Sequence, residues 1–280
     1  VNIVVTGGSG LAGTFVVAEL VRYGHRVTIL DQAPPQERGL PYRLVDLSDL
    51  GQVYGALPET EAIIHLGAIP RPTFHPPGEV FRTNMLATYN IFEVAAARAV
   101  PRVIYASSMS VLGYPFYHRF FEPLYAPIDE AHPPLPQDSY ALSKYLGEAV
   151  AQAFVRRGQL TAISLRLTWI HTPQSFKEII VPLRQEGGGA AAASLWLYVD
   201  SRDVAQAFRL ALSAELSGHE AFFISAPNSF MDTPTAELLR RYYPNTEIRP
   251  QLQGQQAVIT STKAERVLGF KANYTWESYF

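Results

Sequence analysis

The stretch that decides the fold is Val1-Asn2-Ile3-Val4-Val5-Thr6-Gly7-Gly8-Ser9-Gly10-Leu11-Ala12-Gly13, followed by an apolar run to Val21 and then by Arg26-Val27-Thr28-Ile29-Leu30-Asp31. Ile3 to Val5 is a short apolar run of the kind a fully buried parallel strand requires. Thr6 to Gly13 reads as a turn. Phe15 to Val21 carries apolar residues around a helix, with Gly24 placed as its stop signal. Arg26 to Leu30 is the next strand, and it ends on Asp31. The unit spans about thirty residues, the length of a βαβ crossover.

The glycines at 7, 10 and 13 have distinct tasks. Gly7 permits the tight turn, Gly10 lets backbone approach a pyrophosphate, and Gly13 allows the helix to pack closely on the strand. The helix that follows offers free N–H groups and a partial positive charge to phosphates, with Ser9 and Leu11 in the same cradle. Such spacing alone also describes an ordinary turn, so the strand, the helix and Asp31 must agree. They do. Asp31 can accept hydrogen bonds from a ribose 2′-OH and repels a 2′-phosphate. Gln32 follows it where an Arg would welcome that phosphate, which favours NAD over NADP. Asp46-Leu47, after a third short strand, puts a carboxylate within reach of the adenine amino group. Asp46 reads equally as the cap of a helix beginning near Ser48.

Outward from this unit the alternation continues. Ala62 to Leu66, Val103 to Ala106 and Ala162 to Leu167 read as strands, and Thr83 to Val100 and Ser139 to Arg157 as helices. Strands alternating with helices of this length predict an α/β fold, a doubly wound parallel Rossmann sheet. Residues 1–165 are expected to form the NAD-binding domain. Residues 166–280 are expected to form a smaller α/β substrate lobe interleaved with it. In that second part Asp203 to Ser213 and Thr235 to Tyr242 read as helices and Ala221 to Ser225 as a strand. Gly187 to Ala193 is low in complexity and is expected to be a mobile loop. Ala126 to Pro136 holds four of the 21 prolines and is expected to be ordered loop.

Composition narrows the chemistry. With 48% hydrophobic residues among 280, a sizeable core forms without metal or disulfide staples. The net charge of −2 gives no electrostatic reason for a nucleic acid or anionic membrane as ligand. No apolar run approaches the ~18–20 residues that cross a bilayer. Val1-Asn2-Ile3-Val4-Val5 shows neither a charged n-region nor a cleavage site, so no leader is expected from it. The absence of cysteine excludes disulfides, thiol catalysis and Cys-ligated metal, and a reducing cytoplasm is the expected compartment. His65, His118, His132 and His171 show no metal-ligand spacing, so no metal is expected.

Only four lysines are present, and one of them stands four residues after a tyrosine in Tyr140-Ala141-Leu142-Ser143-Lys144. That spacing puts phenol and ammonium on one helix face. A phenol with pKa ~10 is a base at neutral pH only if nearby positive charge stabilises its phenolate. Lys144 and an oxidised nicotinamide both supply such charge. Ser108 lies just past a strand's carboxyl end, the edge where open sheets bind ligands, and its hydroxyl can reach the reacting oxygen. Turn chemistry is the alternative for Ser108, and Ser107 competes for the role.

Together these residues resemble a known family, the extended short-chain dehydrogenase/reductases, in particular their NAD-dependent epimerase/dehydratase branch. The likeness rests on Thr6-Gly7-x-x-Gly10-x-x-Gly13, Asp31, Asp46-Leu47, His65-Leu66-Gly67-Ala68, Asn84 with Thr88 and Asn90, Ala106-Ser107-Ser108, Asp129-Glu130 with His132-Pro133, and Tyr140-x-x-x-Lys144. It implies Tyr140 as acid/base, Lys144 on the nicotinamide ribose and Ser108 on the substrate oxygen. It also implies cofactor contacts from Gly7, Ser9, Gly10, Leu11, Gly13, Asp31, Asp46, Leu47, Leu66, Gly67, Ala68, Asn84, Tyr140 and Lys144. Relatives commonly pair through two helices of the sheet, which leaves a homodimer open.

The pattern breaks in the second half. Trp169 stands where nucleotide-sugar members carry Asn, and Trp196 where they carry an Arg that meets the diphosphate. Arg202 is the nearby cation. Trp169, Arg202 and Ser108 are therefore the expected substrate contacts. These departures point away from a nucleoside diphosphate and toward a small-molecule sugar or sugar acid, as in the uronate dehydrogenases. The expected function is an NAD-dependent oxidoreductase moving a hydride between NAD and a hydroxyl carbon. A nucleotide-sugar 4-epimerase that recycles NAD in place is the alternative. A non-catalytic NAD-sensing protein would have no need of Tyr140 or Lys144. Tyr114 to Ala126, with six aromatics, reads either as a lid or as local packing or a dimer surface.

Overall fold

Successive residues of a strand point to opposite faces of a sheet, so an unbroken apolar strand needs cover on both sides. The computed structural model, which describes residues 1–158 and 160–279, provides it. In chain order the first half contains β1 (Asn2–Thr6), α1 (Leu11–Arg22), β2 (Arg26–Asp31), β3 (Tyr42–Leu44), α2 (Leu50–Ala56), β4 (Ala62–His65), α3 (Pro77–Ala97), β5 (Arg102–Ser108), β6 (Tyr125–Ala126) and α4 (Ser139–Arg157). Then follow β7 (Thr161–Leu167), β8 (Ile170–His171), α5 (Pro173–Ser175), α6 (Val181–Gln185), β9 (Val199–Asp200), α7 (Ser201–Ser213), β10 (His219–Ile224), α8 (Thr235–Tyr242), β11 (Glu247–Ile248) and α9 (Thr262–Leu268).

Seven strands form one sheet in the order β3-β2-β1-β4-β5-β7-β10, and all its pairings are parallel. Ile3 and Val5 face a core shared with Val16, Val17 and Leu20 of α1, Val204 and Phe208 of α7, and Leu268 of α9. Val4 between them faces the opposite core, with Val53 of α2, Ile91 and Phe92 of α3 and Phe154 of α4. The expected doubly wound α/β sheet is thus observed. Helix α3 starts earlier than the apolar pattern indicated, because Pro77 supplies a pre-set first helical position.

The order reverses at β1, which has β2 on one side and β4 on the other. Chain leaving β1 runs toward β2 and chain leaving the adjacent β4 runs toward β5, and the crevice between these departures is where such sheets bind ligands.

A second core lies beyond the carboxyl edge. It gathers Val111, Tyr114 and Ile128 with Phe176, Trp196, Tyr198, Phe230, Leu239 and Ile259. Two small parallel pairings, β6 with β11 and β8 with β9, tie it together. The Pro-rich loop is ordered by backbone bonds from Ile128 N–H to Val258 C=O at 2.7 Å and from Thr260 N–H to Ile128 C=O at 2.9 Å.

Gly187 to Ala193 is tied to the second core by two of its carbonyls, which aromatic donors outside the stretch hold. Trp196 Nε1 donates to Gly188 O at 2.7 Å, and the Tyr243 hydroxyl donates to Ala192 O at 2.7 Å. Among the described residues no helix is long and apolar enough to cross a membrane, and no cluster of His, Asp or Glu is arranged to hold a metal.

Candidate active site

A cleft of about 1040 Å³ opens at the carboxyl ends of the strands. One end is the glycine turn. Gly7 sits at φ +70°, and a Cβ there would lie 2.6 Å from Gly67 N, so the loops leaving β1 and β4 meet as bare backbone. A Cβ on Gly13 would run into Gly7 O, which explains the third glycine. Helix α1 starts at Leu11 with no side-chain cap, which leaves its first turn able to bind an anion. Ser9 N–H donates to Asp31 Oδ2 at 2.9 Å and Gln32 N–H to Asp31 Oδ1 at 2.7 Å, so Asp31 ties the turn to the end of β2. All of this lines the cleft, as do Leu66, Gly67 and Ala68. A cradle that only backbone fills, beside an uncapped helix and a strand-end carboxylate, fits a dinucleotide.

Asp46 and Leu47 line the same end. The Asp46 carboxylate accepts from Ser48 Oγ at 2.7 Å and Ser48 N at 2.9 Å, and these bonds hold it below the usual carboxylate range. The cap of α2 is Asp49 instead, whose Oδ1 accepts from Gln52 N at 3.0 Å. That corrects the capping alternative for Asp46.

The floor between the strands is polar and closed. Thr6 Oγ1 lies 2.7 Å from His65 Nδ1 and accepts from Gly67 N at 3.2 Å, while His65 Nε2 lies 3.3 Å from Thr88 Oγ1. Burial, then the nearby Lys144 charge, pushes His65 down to about 3. The imidazole is a neutral strut.

At the other end Asp138 caps α4, with Oδ1 accepting from Tyr140 N at 2.8 Å and Ala141 N at 2.9 Å. The cap places Tyr140 in the first turn and Lys144 one turn on, both buried and facing the cleft. Lys144 Nζ donates to Ala106 O at 2.8 Å and lies 5.7 Å from the centre of the Tyr140 ring. Burial lowers Lys144 to about 7. Burial raises Tyr140 to about 12; the Ser108 hydroxyl bond pulls it down, Asp138 pushes it up, and Arg71 pulls it down.

The two serines take different directions. Ser108 stands beside the phenol, its hydroxyl donating to Ser110 Oγ at 3.1 Å. Ser107 donates to Glu148 Oε1 at 2.6 Å, and Glu148 forms a buried two-bond pair with Arg166 at 2.8 and 2.9 Å.

Asn84 and Arg202, two expected site residues, make other contacts, and Trp196 lies apart from the cleft. Asn84 does not line the cleft: its side chain accepts from Ile69 N at 2.8 Å and donates to Ile69 O at 3.1 Å and Ser143 Oγ at 3.2 Å. Through these bonds it braces the loop after β4 against α4. Arg202 is also outside the cleft lining, because the fully buried Asp200 takes its guanidinium through two 2.8 Å bonds, and it lies 3.5 Å over the Tyr274 ring. Trp196 is fully buried in the second core. Trp169 does line the cleft, leaning on His171 at 4.6 Å.

The aromatic loop divides its residues. Tyr114, Phe120 and Phe121 pack locally, with the Tyr114 hydroxyl donating to Phe121 O at 2.8 Å and Phe120 stacking on Tyr243 at 5.7 Å. Pro115 and Phe116 reach the cleft. So do Arg71 and Phe74, which the sequence reading passed over. Their signal was present in Pro70-Arg71-Pro72, a loop at the carboxyl end of a central strand.

The model of the NAD dependent epimerase/dehydratase family matches residues 3–224. The chain belongs to this family. It is 28% identical to the L-arabinose 1-dehydrogenase (NAD(P)(+)) of Haloferax volcanii, over 77% of this chain and 84% of that protein. It is 30% identical to the uronate dehydrogenase of Pseudomonas putida, over 59% of this chain and 60% of that protein. Among solved structures, MoeE5 in complex with UDP-glucuronic acid and NAD superposes with a TM-score of 0.75 at 26% identity, covering 98% of this chain and 95% of the other.

Proposed function

We propose that this chain is an NAD-dependent dehydrogenase of a monosaccharide or sugar acid. The observation that carries the reading is the pairing of the Tyr140, Lys144 and Ser108 constellation with the cleft wall opposite it. That wall, built from Leu167 to Ile170, Leu183 and Ala190, Ala191, Ala193 and Ser194, carries no cation among the described residues. A nucleoside diphosphate would find no counter-charge on it.

When bound, NAD supplies the hydride acceptor, and Asp31 favours it over NADP. The protein's own residues handle the proton. Ser108 and Tyr140 bind the substrate hydroxyl, and Tyr140 takes its proton at the phenolate oxygen. Burial favours the neutral phenol, so positive charge, from Lys144 while it is protonated and from the oxidised nicotinamide when NAD is bound, is needed to make the phenolate accessible. Asn84 and Asp138 hold the loop after β4 and the start of α4 in place around it.

A nucleotide-sugar 4-epimerase is the second reading. It is favoured by a 22% identical alignment with the UDP-glucose 4-epimerase of Corynebacterium glutamicum that spans 98% of this chain. Purified protein incubated with NAD and a panel of aldoses, uronates and UDP-hexoses separates the two. Net formation of reduced cofactor on a free sugar supports the dehydrogenase. Interconversion of UDP-hexoses without net reduction would replace it with the epimerase.

The reading extends to a homodimer. Helices α3 and α4 pack side by side and expose Leu86, Tyr89, Leu142 and Tyr145. Light scattering at micromolar concentration should give twice the chain mass, with Leu142→Glu shifting it to the monomer; a monomeric wild type would defeat the extension.

A further inference from the structure

Four charged side chains line the cleft: Asp31, Asp46, Arg71 and Lys144. The two acids stand at the glycine-turn end, and Lys144 is committed to Ala106 O and the Tyr140 ring. Arg71 remains. It lies on the loop leaving β4, two residues past Ile69, whose N–H and C=O are both clasped by Asn84. Its guanidinium rests 4.4 Å over the Phe74 ring, and among the described residues no carboxylate lies within ion-pairing distance of it.

We infer that Arg71 determines substrate specificity by pairing with an oxyanion group, carboxylate or monophosphate, on the sugar whose hydroxyl meets Tyr140. The inference rests on the dehydrogenase reading above and names the substrate class within it. Stacked on Phe74 at the cleft lining, the guanidinium keeps its donors free for a bidentate partner, the geometry that suits carboxylate and phosphate. Arg71 and Tyr140 line the same cleft, so one bound molecule can reach both. Phe116 and Trp169 offer apolar faces to a sugar ring lying between them and the catalytic residues. Nothing on the opposite wall competes for the anion.

The test uses matched trios of hexose, its uronate and its 6-phosphate, in the glucose and galactose series, with wild type, Arg71→Gln and Arg71→Lys. The readouts are kcat/KM for each sugar, NAD affinity by fluorescence quenching, and the thermal shift of NAD-loaded protein on adding each sugar. Wild type should prefer the uronate or the phosphate, and the preferred one identifies the group. In Arg71→Gln the ratio of kcat/KM for that sugar to kcat/KM for its hexose should fall roughly 10- to 100-fold. NAD binding should be retained, and Arg71→Lys should recover part of the ratio.

An unchanged ratio in Arg71→Gln would overturn the inference while leaving the dehydrogenase standing. So would a loss of NAD affinity, which would put Arg71 on the cofactor, or a response confined to UDP-hexoses. If no sugar is oxidised, the dehydrogenase reading fails by itself. The thermal shift then still decides: an anionic sugar that stabilises wild type but not Arg71→Gln supports the pairing, and no shift in wild type overturns it.

Discussion

At Tyr140 the surroundings oppose the charge that base catalysis needs, since burial lifts the phenol to about 12. Only added positive charge reverses this, so oxidation and reduction should respond oppositely to pH. Oxidation needs the phenolate, and its kcat/KM should rise with pH; reduction needs the phenol, and its rate should fall. Tyr140→Phe should cost roughly 10²- to 10⁴-fold in kcat with NAD binding retained, and Lys144→Met should move the rising limb to higher pH. Profiles in both directions check this, and activity surviving in Tyr140→Phe would remove Tyr140 from the chemistry. This pair was legible in the sequence because an i, i+4 relation on a helix is local. The pairing of Arg202 is not legible in the same way. Its partner Asp200 is two residues away, but nothing in the sequence says that Asp200 is buried and needs a counter-charge. Arg71 was passed over because its meaning depends on where its loop ends up.

Elements meet at the carboxyl ends of β1 and β4, where His65 links Thr6 to Thr88 as a neutral imidazole. Its folded-state value of about 3 lies below the ordinary 6.5, so the unfolded chain binds the extra proton between those limits. Stability from this residue is therefore full above pH 6.5 and is lost on acidification, by ~1.4 kcal/mol per pH unit. Asp203 on α7, raised to about 6 by burial, works in the other direction between about 6 and 3.8. The His65 contribution is isolated by difference. His65→Gln keeps donor and acceptor groups, and its stability deficit relative to wild type should shrink by ~2 kcal/mol between pH 7 and pH 5, read from urea midpoints. A constant deficit would mean His65 titrates normally. The strands and helices that frame this point were readable from apolar period and glycine spacing. The bracing bonds of Asn84 were not, because its partners Ile69 and Ser143 lie 15 and 59 residues away in sequence.

The whole molecule joins a parallel sheet to a second core built across long sequence separations, such as β6 pairing with β11. Those separations explain why the sheet could be read from sequence and the second core could not. A ligand spanning the cleft stabilises the folded chain by mass action. NAD at about 100 times its Kd should add ~2.7 kcal/mol, a rise of roughly 5–10 °C in Tm. NADP should give a smaller shift, and Asp31→Ser should narrow the gap; equal shifts in wild type would remove Asp31 from cofactor selection. The stretch Gly187 to Ser194 has its own consequence at this scale. Trp196 and Tyr243 hold it by the main-chain oxygens of Gly188 and Ala192, contacts that do not involve the side chains at 190 and 193. Ala190 and Ala193 face the cleft and are blank positions on a fixed frame. Ala193→Arg should leave the fold intact and give the wall the cation it lacks, raising affinity for UDP-hexoses measured by calorimetry. Substrate range in this scaffold can then be rewritten at a site where neither the catalyst nor the backbone has to change.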